Sequence, residues 1–174
     1  MLKIKNWRQL KKHWLISWLI WISITFLLFW LMSMWQNRDL LPLNQAAPLF
    51  KLSSITGETY DLERVKSNST LIYFFAPWCS ICHYSIDNLE KLRQARRPEE
   101  LTILIIALSW EDIDEVNAFV KQHELTLPVL LGTPDIAQAY QISAFPTYYI
   151  LDQQGLVIDR SVGYSSEFGL RWRT

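Results

Sequence analysis

Cys79 and Cys82 are the only cysteines of the chain, separated by Ser80 and Ile81. A pair at this spacing can serve thiol–disulfide exchange, metal ligation or a small structural bridge. Its surroundings help to separate these uses. Leu71-Ile72-Tyr73-Phe74-Phe75 is an unbroken apolar run, which suits a strand buried on both faces. From Cys79 to about Arg96, Ile86, Leu89, Leu92 and Ala95 recur at helical spacing with charged residues between them. The cysteines therefore fall where a strand meets a helix N-terminus. Unsatisfied N–H groups and the helix dipole favour negative charge there, and can lower a thiol from about 8.5 toward roughly 3.5–7.5. Cys79 is then partly thiolate and attacks a partner disulfide as the nucleophile. Cys82, one turn later and more buried, resolves the mixed disulfide.

The other uses of the pair fit less well. A structural bridge over so few residues removes little chain entropy. Tetrahedral structural zinc needs four ligands, and the chain has three histidines. His13 lies near the N-terminus and His123 in another expected helix, so only His83 is close by; it is expected on an exposed helix face with no direct chemistry. No metal ligand is assigned. A Cu(I)-binding or copper-delivery module using the same two soft thiolates is the rival from another functional class.

The elements that must position the pair follow along the chain. Leu49–Leu52 and Thr59–Leu62 around Gly57 read as a hairpin. LTILIIALS from Leu101 is a second buried strand, and the acid-led EDIDEVNAFVKQH from Glu111 is a helix with Glu111, Asp112 and Asp114 at its positive end. Leu127–Leu131 reads as a strand, Pro134–Tyr140 as a short helix, Thr147–Leu151 as a strand, and a turn at Asp152–Gly155 leads into Leu156–Val162. Alternating strands and helices followed by an antiparallel pair predict an α/β fold with a mixed central sheet covered on both sides.

A length of 174 residues suits one domain and one appendage and leaves no room for a second catalytic domain. The appendage is N-terminal. From Trp14 to Asn37 no residue is charged, and 24 residues make a helix of about 36 Å, more than the roughly 30 Å of a hydrocarbon core. Lys3, Lys5, Arg8, Lys11 and Lys12 precede it with no acid, which keeps the N-terminus in the cytoplasm. The stretch is too long for a cleavable signal peptide, and bulky Met34, Trp35 and Gln36 close it. The expected organisation is a cytoplasmic basic segment at 1–13, a transmembrane signal anchor at 14–36, a linker at 37–47 and an exported domain at 48–174. Net charge is zero overall, yet twelve bases face seventeen acids after the anchor, a balance of −5 that argues against nucleic-acid binding.

Phe75-Ala76-Pro77-Trp78-Cys79-Ser80-Ile81-Cys82 resembles the WCxxC motif of thioredoxin-like proteins, in the same strand-to-helix position. Tyr140-Gln141-Ile142-Ser143-Ala144-Phe145-Pro146-Thr147, followed by Tyr148 to Asp152 and Gly155, is similar to that family's second motif. The added N-terminal hairpin, an insertion-like strand–helix unit and one anchor resemble the TlpA, ResA and DsbE branch. The closing segment Gly163–Arg171 is most similar to ScsD-type, suppressor-of-copper-sensitivity, members.

The resemblance implies a thioredoxin-like three-layer fold with an added N-terminal hairpin, preceded by one transmembrane helix. It implies a cis bond before Pro146, facing the cysteines, with Trp78, Phe145 and Thr147 contacting the partner. The implied activity is that of a thiol–disulfide oxidoreductase with no cofactor beyond its own disulfide. Protein thiols and disulfides would be its substrates, and a DsbD-like or ScsB-like protein of the inner membrane its electron donor. A disulfide-forming oxidase is the rival within the class. The Ser80-Ile81 dipeptide puts no cation or histidine between the cysteines, which favours the reducing direction. Where thioredoxins carry a buried Asp this chain has Tyr73, where ResA and DsbE relatives carry Glu it has Ser85, and where Gly often stands it has Ala144. Water or Tyr73 is left to carry the Cys82 proton.

Overall fold

The computed structural model describes residues 17–28, 40–65 and 67–174. Two compact units separate, Met1–Arg38 and Asp39–Thr174. In the first, residues 17–28 form a helix, α1, in which the Thr25 hydroxyl donates to the Trp21 carbonyl at 2.8 Å. The rest of the span expected over 14–36, and the basic segment 1–13, lie outside the described residues. Among the described residues no helix is long and apolar enough to cross a membrane.

The second unit is built on a five-stranded sheet in the order β5-β4-β3-β6-β7. Its strands are β3 (Ser69–Phe75), β4 (Leu101–Ala107), β5 (Val129–Leu131), β6 (Thr147–Asp152) and β7 (Val157–Val162). β3, β4 and β5 run parallel, while β6 and β7 are antiparallel to their neighbours. The sheet is mixed, as the strand order in sequence predicts. Every residue of β3 is buried. Its period of two sends Leu71, Tyr73 and Phe75 to one face and Ile72 and Phe74 to the other.

On the first face pack α2 (Ser80–Ala95), α3 (Ile113–Gln122) and α5 (Glu167–Arg173), through Ile86, Leu89, Leu92, Val116, Phe119 and Leu170. On the second lie α4 (Pro134–Ala139) and the N-terminal segment with its hairpin, β1 (Lys51–Ser53) and β2 (Thr59–Asp61). Gly57, at φ +86°, makes the turn between these two strands. The hairpin is tied to the main sheet by the Ile55 amide, which donates to the Val129 carbonyl at 3.0 Å. The result is a three-layer α/β fold.

The linker expected over 37–47 is shorter than the sequence suggests, because the chain is packed from Leu40 onward. Leu40, Leu41 and Ala47 are buried. The Asn44 amide donates to the Val157 carbonyl, the Val157 amide donates to the Gln45 carbonyl, and the Arg160 guanidinium donates to the carbonyls of Leu40 and Leu41. Backbone pairing of this kind leaves no periodic signal in a sequence. Helix α5 was likewise not expected: Ser166 caps it, but Leu170 is its only buried residue, too little to set a period.

Tyr73, Tyr140, Tyr148 and Tyr149 are fully buried, and burial pushes each hydroxyl above its ordinary value, Tyr73 well above with the neighbouring Tyr148 adding to the effect. The folded chain therefore holds these protons to higher pH than the unfolded chain does. The stability linked to them is intact below about pH 10 and is lost as pH rises toward the folded-state values. Denaturant midpoints should fall between pH 9 and 11, each tyrosine steepening the decline by up to about 1.4 kcal/mol per pH unit. A flat profile across that range would show that these hydroxyls ionise as easily inside as outside.

Candidate active site

Phe75 ends the central strand, Ala76 follows it, and the chain turns at Pro77-Trp78 before α2 begins. Cys79 is the N-cap of that helix, with extended backbone and its sulfur 3.2 Å from the Cys82 amide, which donates to it. The Cys82 and His83 amides also donate to the Cys79 carbonyl, at 3.0 and 3.3 Å. A free helix N-terminus is thus directed at one sulfur, the setting that favours a thiolate. The two cysteines are joined as a disulfide, their Cα atoms 5.2 Å apart. Cys79 keeps 6% of its surface exposed and Cys82 none, so a partner can reach only the first.

Around Cys79 the surface is aromatic and apolar. Trp78 is 65% exposed, and Ile81 and Tyr84 follow it as exposed residues. The Trp78 indole N–H donates to the Ser109 carbonyl at 2.9 Å, fixing the ring against the loop after β4, where Ser109 adopts φ +52°. On its other side the indole meets the Phe145 ring edge-to-face at 5.8 Å. Phe145 also packs against the core cluster that contains both cysteines, and the Phe145–Pro146 peptide bond is cis. Trp78 and Phe145, from two motifs far apart in sequence, therefore meet beside Cys79, with the cis bond to buried Pro146 following Phe145.

Thr147 is placed differently. It is fully buried, and its hydroxyl donates to the Ala144 carbonyl at 2.8 Å. Its side chain holds the loop before Pro146 together and is not presented to a partner. Ala144 engages its carbonyl in that bond, while Phe145 makes no backbone hydrogen bond among the described residues.

Beneath Cys82 lies a group of hydroxyls. Tyr73 and Ser85 are 2.8 Å apart, and both approach the Cys82 carbonyl, Ser85 at 3.2 Å and Tyr73 at 3.5 Å. The Tyr148 ring packs on Tyr73 at 4.9 Å, and its own buried hydroxyl lacks a hydrogen-bond partner among the described residues. Burial holds Tyr73 protonated far beyond neutral pH, so it acts here as a hydrogen-bonding group and not as a base for Cys82.

The structure also brings together residues that the sequence left apart. His83 Nδ1 and His123 Nε2 are 2.7 Å apart, with His83 Nε2 at 2.9 Å from the Pro77 carbonyl. Only their separation of forty positions hid this pair. Among the described residues no group of three or more His, Cys, Asp or Glu side chains is arranged to hold a metal ion.

Fold and site together define a thioredoxin-like protein with a dithiol–disulfide centre at a helix N-terminus, facing a cis-proline loop. Residues 43–160 match the AhpC/TSA family, and the chain belongs to that family. It is similar to the thioredoxin-like protein YneN of Bacillus subtilis, 33% identical over 121 residues that cover 68% of this chain and 71% of that protein. The thiol–disulfide oxidoreductase ResA of Bacillus cereus is 26% identical over 130 residues, covering 73% of each. Among solved structures, a thiol:disulfide interchange protein of the thioredoxin family from Chlorobium tepidum shares the fold at a TM-score of 0.68 and 23% identity, covering 76% of this chain and 95% of that one.

Proposed function

We propose that the chain is a membrane-anchored thiol–disulfide oxidoreductase that reduces protein disulfides on the periplasmic side of the inner membrane. The observation that carries this reading is the division of labour at the pair: a sulfur that caps α2 at the surface, backed by one that is closed off. The Cys79 thiolate attacks a partner disulfide, forms a mixed disulfide and expels one partner thiolate. Deprotonated Cys82 then attacks the Cys79 sulfur, closes the Cys79–Cys82 disulfide and expels the second partner thiolate. Two electrons pass to the partner, and the protons given up by the dithiol balance those taken by the two leaving thiolates. The N–H and C=O of Phe145, which make no backbone hydrogen bond among the described residues, would hold the partner segment extended beside the sulfur by strand addition.

The uncharged stretch from Trp14 to Asn37 and the five preceding bases support a single-pass anchor with a cytoplasmic N-terminus. The residues between the cysteines, neither cationic nor histidine, support the reducing direction, with a DsbD-like or ScsB-like membrane protein returning electrons. The full chain in detergent should reduce insulin with dithiothreitol as the electron source. Stoichiometric Cu(I) binding under anaerobic conditions without any insulin turnover would instead favour the copper-handling rival.

A further inference from the structure

The hydrogen bonds around His83 and His123 fix how many protons the two rings carry. The Pro77 carbonyl, 2.9 Å from His83 Nε2, can only accept, so that nitrogen bears a hydrogen. The Asp87 carboxylate, 3.3 Å from His123 Nδ1, also accepts, so that nitrogen bears a second. The 2.7 Å contact between His83 Nδ1 and His123 Nε2 needs a third hydrogen between the rings. Two neutral imidazoles supply only two ring N–H groups. With all three bonds made, the pair carries one positive charge.

The surroundings suit a cation. The Phe119 ring lies 4.6 Å from the His83 ring and 4.8 Å from the His123 ring, within reach of a cation–π interaction. The His123 side chain is only 11% exposed, whereas Asp87, its countercharge, is 61% exposed and better screened by water. The other ionisable groups nearby are Glu115 of α3, which lines with Pro77, Trp78 and His83 a groove of about 290 Å³, and Lys121 and Glu124, which flank His123 in the chain.

We propose that His83 and His123 share this third proton and present one positive charge to the first turn of α2, where it stabilises the Cys79 thiolate. His83 stands four residues after Cys79, on the same side of the helix, and its amide donates to the Cys79 carbonyl at 3.3 Å. The charge therefore adds to the helix N-terminus already directed at that sulfur. Both histidines are positioning residues that act through Cys79. The proposal rests on Cys79 being the nucleophile.

The test is the pH profile of Cys79 alkylation by iodoacetamide in the reduced full-length protein, compared with His83→Gln and His123→Gln. Glutamine at 123 keeps an N–H donor toward His83 but cannot carry charge. In either variant the midpoint of the profile should move up by about one pH unit, a tenfold loss of thiolate near pH 6. The double variant should show no further change, because one charge is shared. Superimposable profiles would overturn the proposal. Should the variants fail to fold, nitrogen-15 NMR of the unmodified protein at pH 6 decides: three ring N–H groups on the pair support it, and two or four overturn it. Insulin reduction by the unmodified protein is measured alongside. If that activity is absent, the oxidoreductase reading fails; if it is present while the profiles coincide, only the histidine proposal fails.

Discussion

Cys79→Ser should abolish insulin reduction, lowering turnover by roughly a thousandfold or more, with the fold intact. Serine is a better N-cap than cysteine, so the donor interaction from the Cys82 amide survives the exchange. The lost disulfide closes a loop of only four residues, for which chain entropy accounts for about 2 kcal/mol, against about 3 for a fifteen-residue loop. A large fall in activity with a small change in melting therefore separates chemistry from structure. If the serine variant retained a tenth of the activity, Cys79 would not be the attacking group.

Cys82→Ala should produce the opposite kind of failure. The first attack still occurs, because Cys79 remains at the helix N-terminus, but nothing displaces the captured partner. A mixed disulfide should accumulate to about one per protein, visible on a non-reducing gel and released by dithiothreitol, with release slowed on the order of a hundredfold or more. Cys82 is fully buried and faces the core with Ile86 and Leu89, so removal of one sulfur costs on the order of 1 kcal/mol. The same variant, expressed in cells, would retain the natural client for identification. If no adduct forms while Cys79 is alkylated normally, Cys82 is not the resolving group.

Much of this arrangement was legible because the chemistry sits on elements with strong patterns. A short apolar run bounded by polar residues and by Pro77 suits a central strand, and three leucine-sized residues at helical spacing fix the face of α2 that the cysteines begin. The edges were less legible. β3 starts at Ser69, two residues before the apolar run, because the Ser69 hydroxyl finds the Leu151 carbonyl at 3.2 Å and can be buried at little cost. Thr147 was expected at the partner surface, yet β6 lies inside the sheet between β3 and β7 and is buried on both faces from Thr147 to Leu151, which encloses it.

Pairings over distance were not legible at all. The bond between Trp78 and Ser109, the Arg160 contacts with Leu40 and Leu41, and the His83–His123 pair each depend on the fold to bring two points of the chain together. The sequence placed His83 on a solvated face with nothing to do. In the structure it is half-buried between Pro77, Phe119 and His123, a contact that neither motif announces.

The charge proposed for the His83–His123 pair would not reverse the direction of electron flow. A tenfold gain in thiolate corresponds to about 30 mV in a two-electron couple, a small step across the interval from about −270 mV for thioredoxin to about −120 mV for DsbA. The equilibrium reduction potential of Cys79–Cys82 in the full-length protein, titrated against dithiothreitol or glutathione at pH 7, therefore bears most directly on the claim that this site gives electrons to protein disulfides. A value near −270 mV is expected. One near −120 mV would make the protein an oxidant and contradict it.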